Sequence, residues 1–266
     1  MGRVRRRIPL RIAVTGTRGK SSVTRLIAAG LRESGARVLA KTTGSKAVLV
    51  LPDGLEEEIA RPGTPSIREQ LRVLERAAAA GAEALVVELM SIGPECLETE
   101  SRRILRPGVL ALTNVRLDHE EAMGRTKANV ARSLSSALAE EARVFFPAEE
   151  FYQVFKEQAA KLKGQLVPVE KEDSERTATP QREFEPNVRL ALAVLDAAGV
   201  DRATALRGMA RAAPDFGSLR TWKAAFGAPP RLAYCVSAFA ANDPESSASL
   251  LAMLPRLVPA GAGPLV

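Results

Sequence analysis

Short apolar runs alternate with longer amphipathic stretches along the first two-thirds of this chain. Ile12-Ala13-Val14 enters a glycine-punctuated turn, and Val23, Leu26, Ile27, Ala28 and Leu31 leave it at helical spacing. After the Gly35 stop, residues 37–41 predict a second strand and 47–51 a third. Past the turn Pro52-Asp53-Gly54, residues 56–60 return as a hairpin partner. Thr64-Pro65-Ser66 predicts the cap of a helix through residue 80, with Pro65 in its first turn and Gly81 as its stop. Residues 84–90 form an apolar run broken only by Glu88, and 109–115 form another that ends in polar residues. A helix over about 126–142 and a short strand at 144–146, closed by Pro147, follow. Fully apolar strands between helices predict an α/β fold, a mostly parallel sheet flanked by helices.

The remainder is less regular. Residues 171–182 read as a polar loop, Pro186-Asn187 opens a helix to 198, and Asp201 caps another through 212. Pro, Gly and Ala dominate 213–230, which reads as a linker. A strand at 232–236, a turn at Asn242-Asp243-Pro244 and a helix to about 257 complete the pattern. No internal repeat is present.

Composition adds bounds. The chain has 266 residues, 46% hydrophobic and 26% charged, which is ordinary for a globular protein. Its net charge of +7 is concentrated at the start, at Arg3, Arg5, Arg6, Arg7 and Arg11. That excess suits a polyanionic partner and equally suits a solvated arginine-rich surface. With two Tyr, one Trp and eight Phe there is little on which bases could stack, so nucleic acid is not an expected partner. Cys96 and Cys235 lie far apart in no metal-binding spacing, which predicts reduced, buried thiols and a cytoplasmic setting. No apolar run approaches the roughly 20 residues of a membrane span, and the basic start lacks the apolar core of a secretory signal, so a soluble protein is expected.

Candidate chemistry gathers where strands end. In Gly16-Thr17-Arg18-Gly19-Lys20-Ser21-Ser22 a strand passes through a glycine loop into a helix, the context in which backbone N–H groups wrap a phosphate. Lys20 would reach the outer phosphates and the Ser21 hydroxyl would ligate Mg²⁺. Val14 stands where the general pattern has its first glycine, and a plain strand-to-helix turn is the alternative. Glu88 is costly inside an apolar strand unless it is paired with an arginine or bound to a cation such as Mg²⁺. The segment Thr113-Asn114-Val115-Arg116-Leu117-Asp118-His119 runs off the next strand. His119 is the only histidine, so imidazole chemistry must use it; otherwise it caps or packs. No nucleophilic triad or zinc set is present, and Glu120-Glu121 simply suit a helix start.

Together these residues resemble the Mur ligase family. Its phosphate loop reads G-T-x-G-K-[ST], as at Gly16 to Ser21, its second marker is a Glu ending a central strand, as at Glu88, and its third is T-N-[VI]-x-x-D-H followed by Gly, as at Thr113 to His119 and Gly124. Residues 17–26, Ala40-Lys41-Thr42-Thr43-Gly44, Pro52-Asp53-Gly54 and residues 240–246 resemble the ligase subunits of poly-γ-glutamate synthases within that family.

The resemblance implies an ATP-dependent amide ligase that works through an acyl phosphate, with ATP and Mg²⁺ as cofactors and glutamate or a γ-glutamyl chain as substrate. It implies that Gly16, Thr17, Arg18, Gly19, Lys20, Ser21 and Ser22 bind phosphate, that Ser21, Glu88 and His119 hold metal, and that Lys20, Glu88 and His119 serve catalysis. Asn114 and Asn187 would lie on the adenine side, and Arg220 would contact phosphate. It divides the chain into an ATP-binding domain over 1–225 and, over 226–266, a linker with the start of a second, Rossmann-like domain. Membrane-bound synthase subunits and further copies of the chain are partners it leaves open. Three departures accompany it: Ser133 stands where many members carry a carbamylated Lys, the membrane-spanning start of many poly-γ-glutamate members is not seen, and the sequence stops within the second domain. Folylpolyglutamate synthases and muropeptide ligases share the three markers, and a nucleotide-binding module without turnover is the alternative of a different class. A P-loop GTPase is disfavoured because no N-K-x-D motif follows the loop.

Overall fold

The structure is a computed structural model that describes residues 1–44, 46–61, 63–171, 183–215, 217–239 and 243–258. A short helix, α1 (Gly2–Arg6), precedes β1 (Leu10–Thr15), the strand that enters the glycine loop, and α2 (Lys20–Glu33) leaves it. Then come β2 (Val38–Thr42), β3 (Val48–Val50), β4 (Glu56–Glu58), α3 (Glu69–Ala79) and β5 (Ala84–Glu88). Next are α4 (Pro94–Glu98), a π-helical segment (Thr99–Leu105), β6 (Val109–Leu112), α5 (Glu120–Met123) and α6 (Lys127–Ser135). β7 (Arg143–Pro147), α7 (Tyr152–Lys161), β8 (Gln165–Val169), α8 (Glu185–Ala197) and α9 (Arg202–Ala210) complete the main body. β9 (Arg220–Phe226), β10 (Arg231–Ser237) and α10 (Pro244–Leu257) follow.

The main sheet has the order β4-β3-β2-β5-β1-β6-β7-β8. Its strands from β2 to β8 run parallel, and β3 and β4 add an antiparallel hairpin at one edge. The expected mostly parallel sheet is therefore present, with helices on both faces. Alternation along the strands assigns the faces. Ile12, Val14, Ala84 and Val86 pack with Val23, Leu26 and Ile27 of α2 and with Val188 and Leu195 of α8. Ala13, Leu85 and Val87 pack instead with Leu74, Leu105, Leu134 and Phe155. Period-two alternation then turns Glu88 to the α2 side, two residues beyond Val86.

Several elements differ from the sequence expectation. Helix α3 begins at Glu69, because Ser66 and Ile67 close hydrogen-bonded turns ahead of it (Glu69 N to Ser66 O 2.9 Å), so Pro65 lies outside the first turn. α6 stops at Ser135, and the chain turns at Glu141, whose φ of 59° is left-handed. The π-helical segment, α7 and β8 carry weak apolar periodicity; β8 is an edge strand, where Pro168 is tolerated. The stretch expected as a linker contains β9, which pairs antiparallel with β10 in a separate two-stranded sheet. Cys96 is exposed and Cys235 half-buried, so the expectation of two buried thiols is corrected: α4 turns Cys96 outward and β10 lies on a thinly covered sheet. The polar loop over 172–182 and Asn242 of the predicted turn lie outside the described residues. Part of the N-terminal charge is structural. Arg11 donates to the carbonyls of Ile8 (2.7 Å) and Arg106 (2.9 Å), and Arg5 to that of Ile104 (3.0 Å). Burial lowers the pKa of both guanidinium groups.

The loop helix is gripped from behind. A Cβ on Gly208 of α9 would lie 2.5 Å from the Ala29 carbonyl oxygen and 2.8 Å from Gly30 Cα, both backbone atoms of α2. Only glycine permits that approach. Gly208→Ala should therefore destabilise the protein by about 1–3 kcal/mol in urea unfolding. Gly108→Ala, where a Cβ meets nothing within 4 Å, should stay within about 0.5 kcal/mol of the parent. Equal effects of the two substitutions would contradict this packing.

Candidate active site

The loop between β1 and α2 is shaped by two glycines and one asparagine. Gly16 has φ 127°, and a Cβ there would lie 2.1 Å from Thr113 Oγ1. Gly19, the N-cap of α2, has φ 79°, and a Cβ there would lie 2.5 Å from Asn187 Oδ1. Asn114 Oδ1 accepts from Thr17 Oγ1 (2.7 Å) and Arg18 N (3.0 Å), while its Nδ2 donates to the Arg18 carbonyl (3.0 Å). Thr17 Oγ1 in turn accepts from Arg116 N at 3.0 Å. The asparagine after β6 thus sets the curvature of the loop after β1.

Lys20 folds back, its Nζ donating to the carbonyls of Gly16 (2.8 Å) and Thr17 (3.2 Å). Burial lowers its pKa; Glu88 counters this, Arg18 adds to it and Asp118 opposes it. Glu88 is buried at the end of β5, where its Oε2 accepts from Ser21 Oγ (2.7 Å) and Thr43 N (2.8 Å). Among the described ion pairs none reaches Glu88, so a salt bridge to arginine is not what holds it. Beyond it, buried Glu100 accepts from Met90 N (3.1 Å) and Ser91 N (3.0 Å) and fixes the chain that leaves β5. His119 caps α5 in a left-handed conformation (φ 46°) with its side chain 52% exposed and Nε2 3.5 Å from Asp118 Oδ2. Asp118 also pairs with Arg18.

Loop residues 15–22, Glu88, Asp118 and His119 line one cavity of about 470 Å³ at the carboxyl ends of β1, β5 and β6. Lys20, Ser21, Glu88 and His119, expected from three separate segments, therefore face a common space. A hydroxyl and a buried carboxylate, with an imidazole nearby, are a donor set suited to a hard divalent cation that takes its other ligands from phosphate and water. No group of three or more His, Cys, Asp or Glu side chains able to hold a metal exists among the described residues. A cation here would depend on a bound anion.

A second cavity, about 120 Å³, lies across the same wall and shares Arg18, Gly19 and Ser22 with the first. Asn187, buried in the first turn of α8, lines it together with Asn114, Phe184 and Leu219. Arg220 is exposed at the start of β9 and lines neither cavity. Ser133 is buried on α6 with Oγ 3.4 Å from the carbonyl of Met123, a residue that lines the first cavity.

Three features escaped the sequence reading. Glu183 lines the second cavity; burial pushes its carboxyl up to about 7, against a hydrogen bond from Ser22. Asp243 caps α10 and receives Arg18 Nε at 3.1 Å and Arg116 Nη1 at 3.5 Å; an Asp directly before Pro-Glu-Ser is a helix-start signal that could have marked it. Lys41, fully buried on β2, pairs with Glu69 (Nζ–Oε1 2.6 Å), which Arg61 grips with two bonds of 2.8 and 2.9 Å. Burial would raise the Glu69 carboxyl, but hydrogen bonds from Arg61 and Lys41 overcome it and hold the group down at about 2.

Glu183 makes a pH prediction. The folded protein keeps a proton on Glu183 up to about 7, while an ordinary carboxyl releases it near 4.5, so stability should fall as pH rises between those values and then level off. Glu183→Gln should remove that decline, making the variant more stable than the parent at pH 8, relative to pH 4, by on the order of 1–3 kcal/mol. Parallel urea-midpoint profiles for the two proteins would contradict the assignment.

Comparison with known proteins identifies the family. The family model for the Mur ligase middle domain matches residues 14–198. The chain is 34% identical over 247 residues to the capsule biosynthesis protein CapB of Bacillus anthracis, covering 90% of this chain and 52% of that protein. It is 31% identical over 250 residues to the PGA synthase CapB of Bacillus subtilis (strain 168), covering 91% of this chain and 63% of that protein. It therefore spans between about half and two-thirds of the length of these relatives. Among solved structures, E. coli FolC in complex with DHPP and ADP superposes with a TM-score of 0.68 at 16% identity, over 97% of this chain and 69% of that one. A bifunctional folylpolyglutamate synthase/dihydrofolate synthase with Mn, AMPPNP and L-glutamate bound gives 0.67 at 16% identity, over 96% and 68%. At that identity these two establish a shared fold, whereas the matched middle domain and the two CapB relatives establish descent: the chain belongs to the Mur ligase family.

Proposed function

We propose that this chain is the nucleotide-binding part of an ATP-dependent amide ligase that forms γ-glutamyl linkages through an acyl phosphate. The observation that carries this reading is the cavity shared by Lys20, Ser21, Glu88 and His119, in a chain related to two CapB proteins, one of them a PGA synthase. The backbone amides of residues 16–20 and the N-terminus of α2 would cradle the triphosphate. Lys20 would exchange the Gly16 and Thr17 carbonyls for phosphate oxygens and offset the charge that develops in transfer. Ser21 and Glu88, with His119 at the rim, would hold Mg²⁺, which when bound neutralises and orients the phosphates. A substrate carboxylate displaces ADP from the γ-phosphorus. The incoming amine then attacks the acyl carbon, and phosphate leaves.

The second cavity suits the base, with Asn187 and Asn114 on its wall. A phosphate contact from Arg220 would require β9 to approach the loop. The second sheet and α10 would begin the second domain. They leave Trp222, Phe226, Leu232 and Leu251 exposed, an apolar surface that favours a second reading in which the described part binds nucleotide and turns over only when covered. Among the described residues no helix is long and apolar enough to cross a membrane. Work in the cytoplasm, where ATP is available, beside membrane-bound synthase subunits fits this reading.

ADP release with ATP, Mg²⁺ and a panel of amino acids tests it. Glutamate should stimulate release, and Lys20→Ala should lower turnover by at least about 100-fold with little change in melting temperature. Glu88→Gln should raise the Mg²⁺ concentration needed for nucleotide binding. Unchanged nucleotide affinity in Lys20→Ala would remove the phosphate loop from the account, and nucleotide binding without glutamate-stimulated release would favour the second reading.

A further inference from the structure

A groove between α3 and the β3–β4 edge, separate from the cavity at the glycine loop, encloses about 730 Å³. Its walls carry Arg61, Arg68, Arg72 and Arg76 against Glu57 and Glu69. Arg68, Arg72 and Arg76 follow at four-residue spacing from the N-cap of α3, so they form a ladder on one face with rungs about 6 Å apart. Like charges at this spacing do not stabilise a helix. Glu69 engages Arg61 and Glu57 engages Arg76 (2.7 Å), while among the described residues no ion pair engages exposed Arg68 or Arg72. The Arg76–Glu57 pair shows that a glutamate carboxylate reaches a rung from within the groove.

The groove also leads somewhere. α3 runs back along the sheet before β5, so its first turn lies at the carboxyl ends of the strands, on the side of the reaction cavity. There Arg61 grips Glu69, Glu69 pairs with Lys41, and Lys41 Nζ lies 3.6 Å from Sδ of Met90, which lines that cavity. A chain of contacts through Glu69, Lys41 and Met90 thus connects Arg61 on the groove wall to the reaction cavity.

We propose that this groove is the seat of the growing γ-glutamyl chain, whose free α-carboxylates dock on Arg68 and Arg72, with Arg76 exchanging Glu57 for a third. Each γ-linked glutamate carries such a carboxylate; its five-bond backbone repeat spans at most about 6 Å, so a chain twisted to set successive carboxylates on one side spaces them within reach of neighbouring rungs. The chain end nearest Arg61 is the one presented to the cavity. This rests on the γ-glutamyl ligase reading and adds to it the place where the polymer is held.

The test is equilibrium binding of γ-linked glutamate oligomers of two and eight residues to the full chain, with ATP affinity measured in parallel. The octamer should bind about ten-fold more tightly than the dimer, and Arg68→Gln/Arg72→Gln should abolish that difference while leaving ATP affinity and melting temperature unchanged. Octamer affinity unaltered in the double variant would overturn the proposal. So would polyacrylate of matched charge binding as tightly as the octamer, which would mark a generic anion surface. Failure of the ligase reading looks different: nucleotide binding or glutamate-stimulated ADP release is lost while the oligomer still binds through the ladder.

Discussion

A buried carboxylate to which, among the described residues, no cationic side chain is bonded is the constraint on which the site depends. Removing Glu88 from water costs several kcal/mol unless its oxygens are occupied, and here one oxygen takes both a hydroxyl from α2 and an amide from the turn after β2. Those two bonds tie three elements together at one point. They work only because β1 and β5 are parallel with Val14 opposite Glu88, so that loop and carboxylate emerge at the same level of the sheet. The Gly208 contact packs α9 closely against that same helix α2. Fold and site are thus one arrangement.

Around that point the chain separates charge by function. Cations facing the phosphate cavity are restrained: Lys20 on backbone carbonyls, Arg18 between Asp118 and Asp243. Arg18 and Arg116 also reach Asp243 at the start of α10, which couples the loop to the segment after the second sheet. Loop and α10 are thus joined through one carboxylate.

Much of this was legible in the residues. The runs at Ile12, Leu85 and Leu110 gave the parallel sheet, and the glycine loop, Glu88 and His119 were placed at strand ends by counting along them. Lys41 was not legible as a buried ion-pair partner, because a lysine closing a short strand normally reaches water. Its burial follows from Glu69 and Arg61, which come from a segment whose helix starts four residues after Pro65. The π-helical segment escaped because its buried positions include Glu100 and Ser101, polar residues satisfied by distant partners such as Ala137 O. His119 stands at the N-cap position of α5 without a side-chain capping bond and lines the cavity. Where polar groups are paid for by long-range hydrogen bonds, local pattern carries no signal.

The most direct measurement is an anomalous difference map from crystals of this protein grown with a non-hydrolysable ATP analogue and Mn²⁺ in place of Mg²⁺. The account predicts a manganese peak within about 2.5 Å of Ser21 Oγ and a Glu88 carboxylate oxygen, with the outer phosphates against residues 16–21 and Lys20 Nζ turned onto them. A nucleotide bound with its phosphates elsewhere, or a metal peak remote from Glu88, would contradict it.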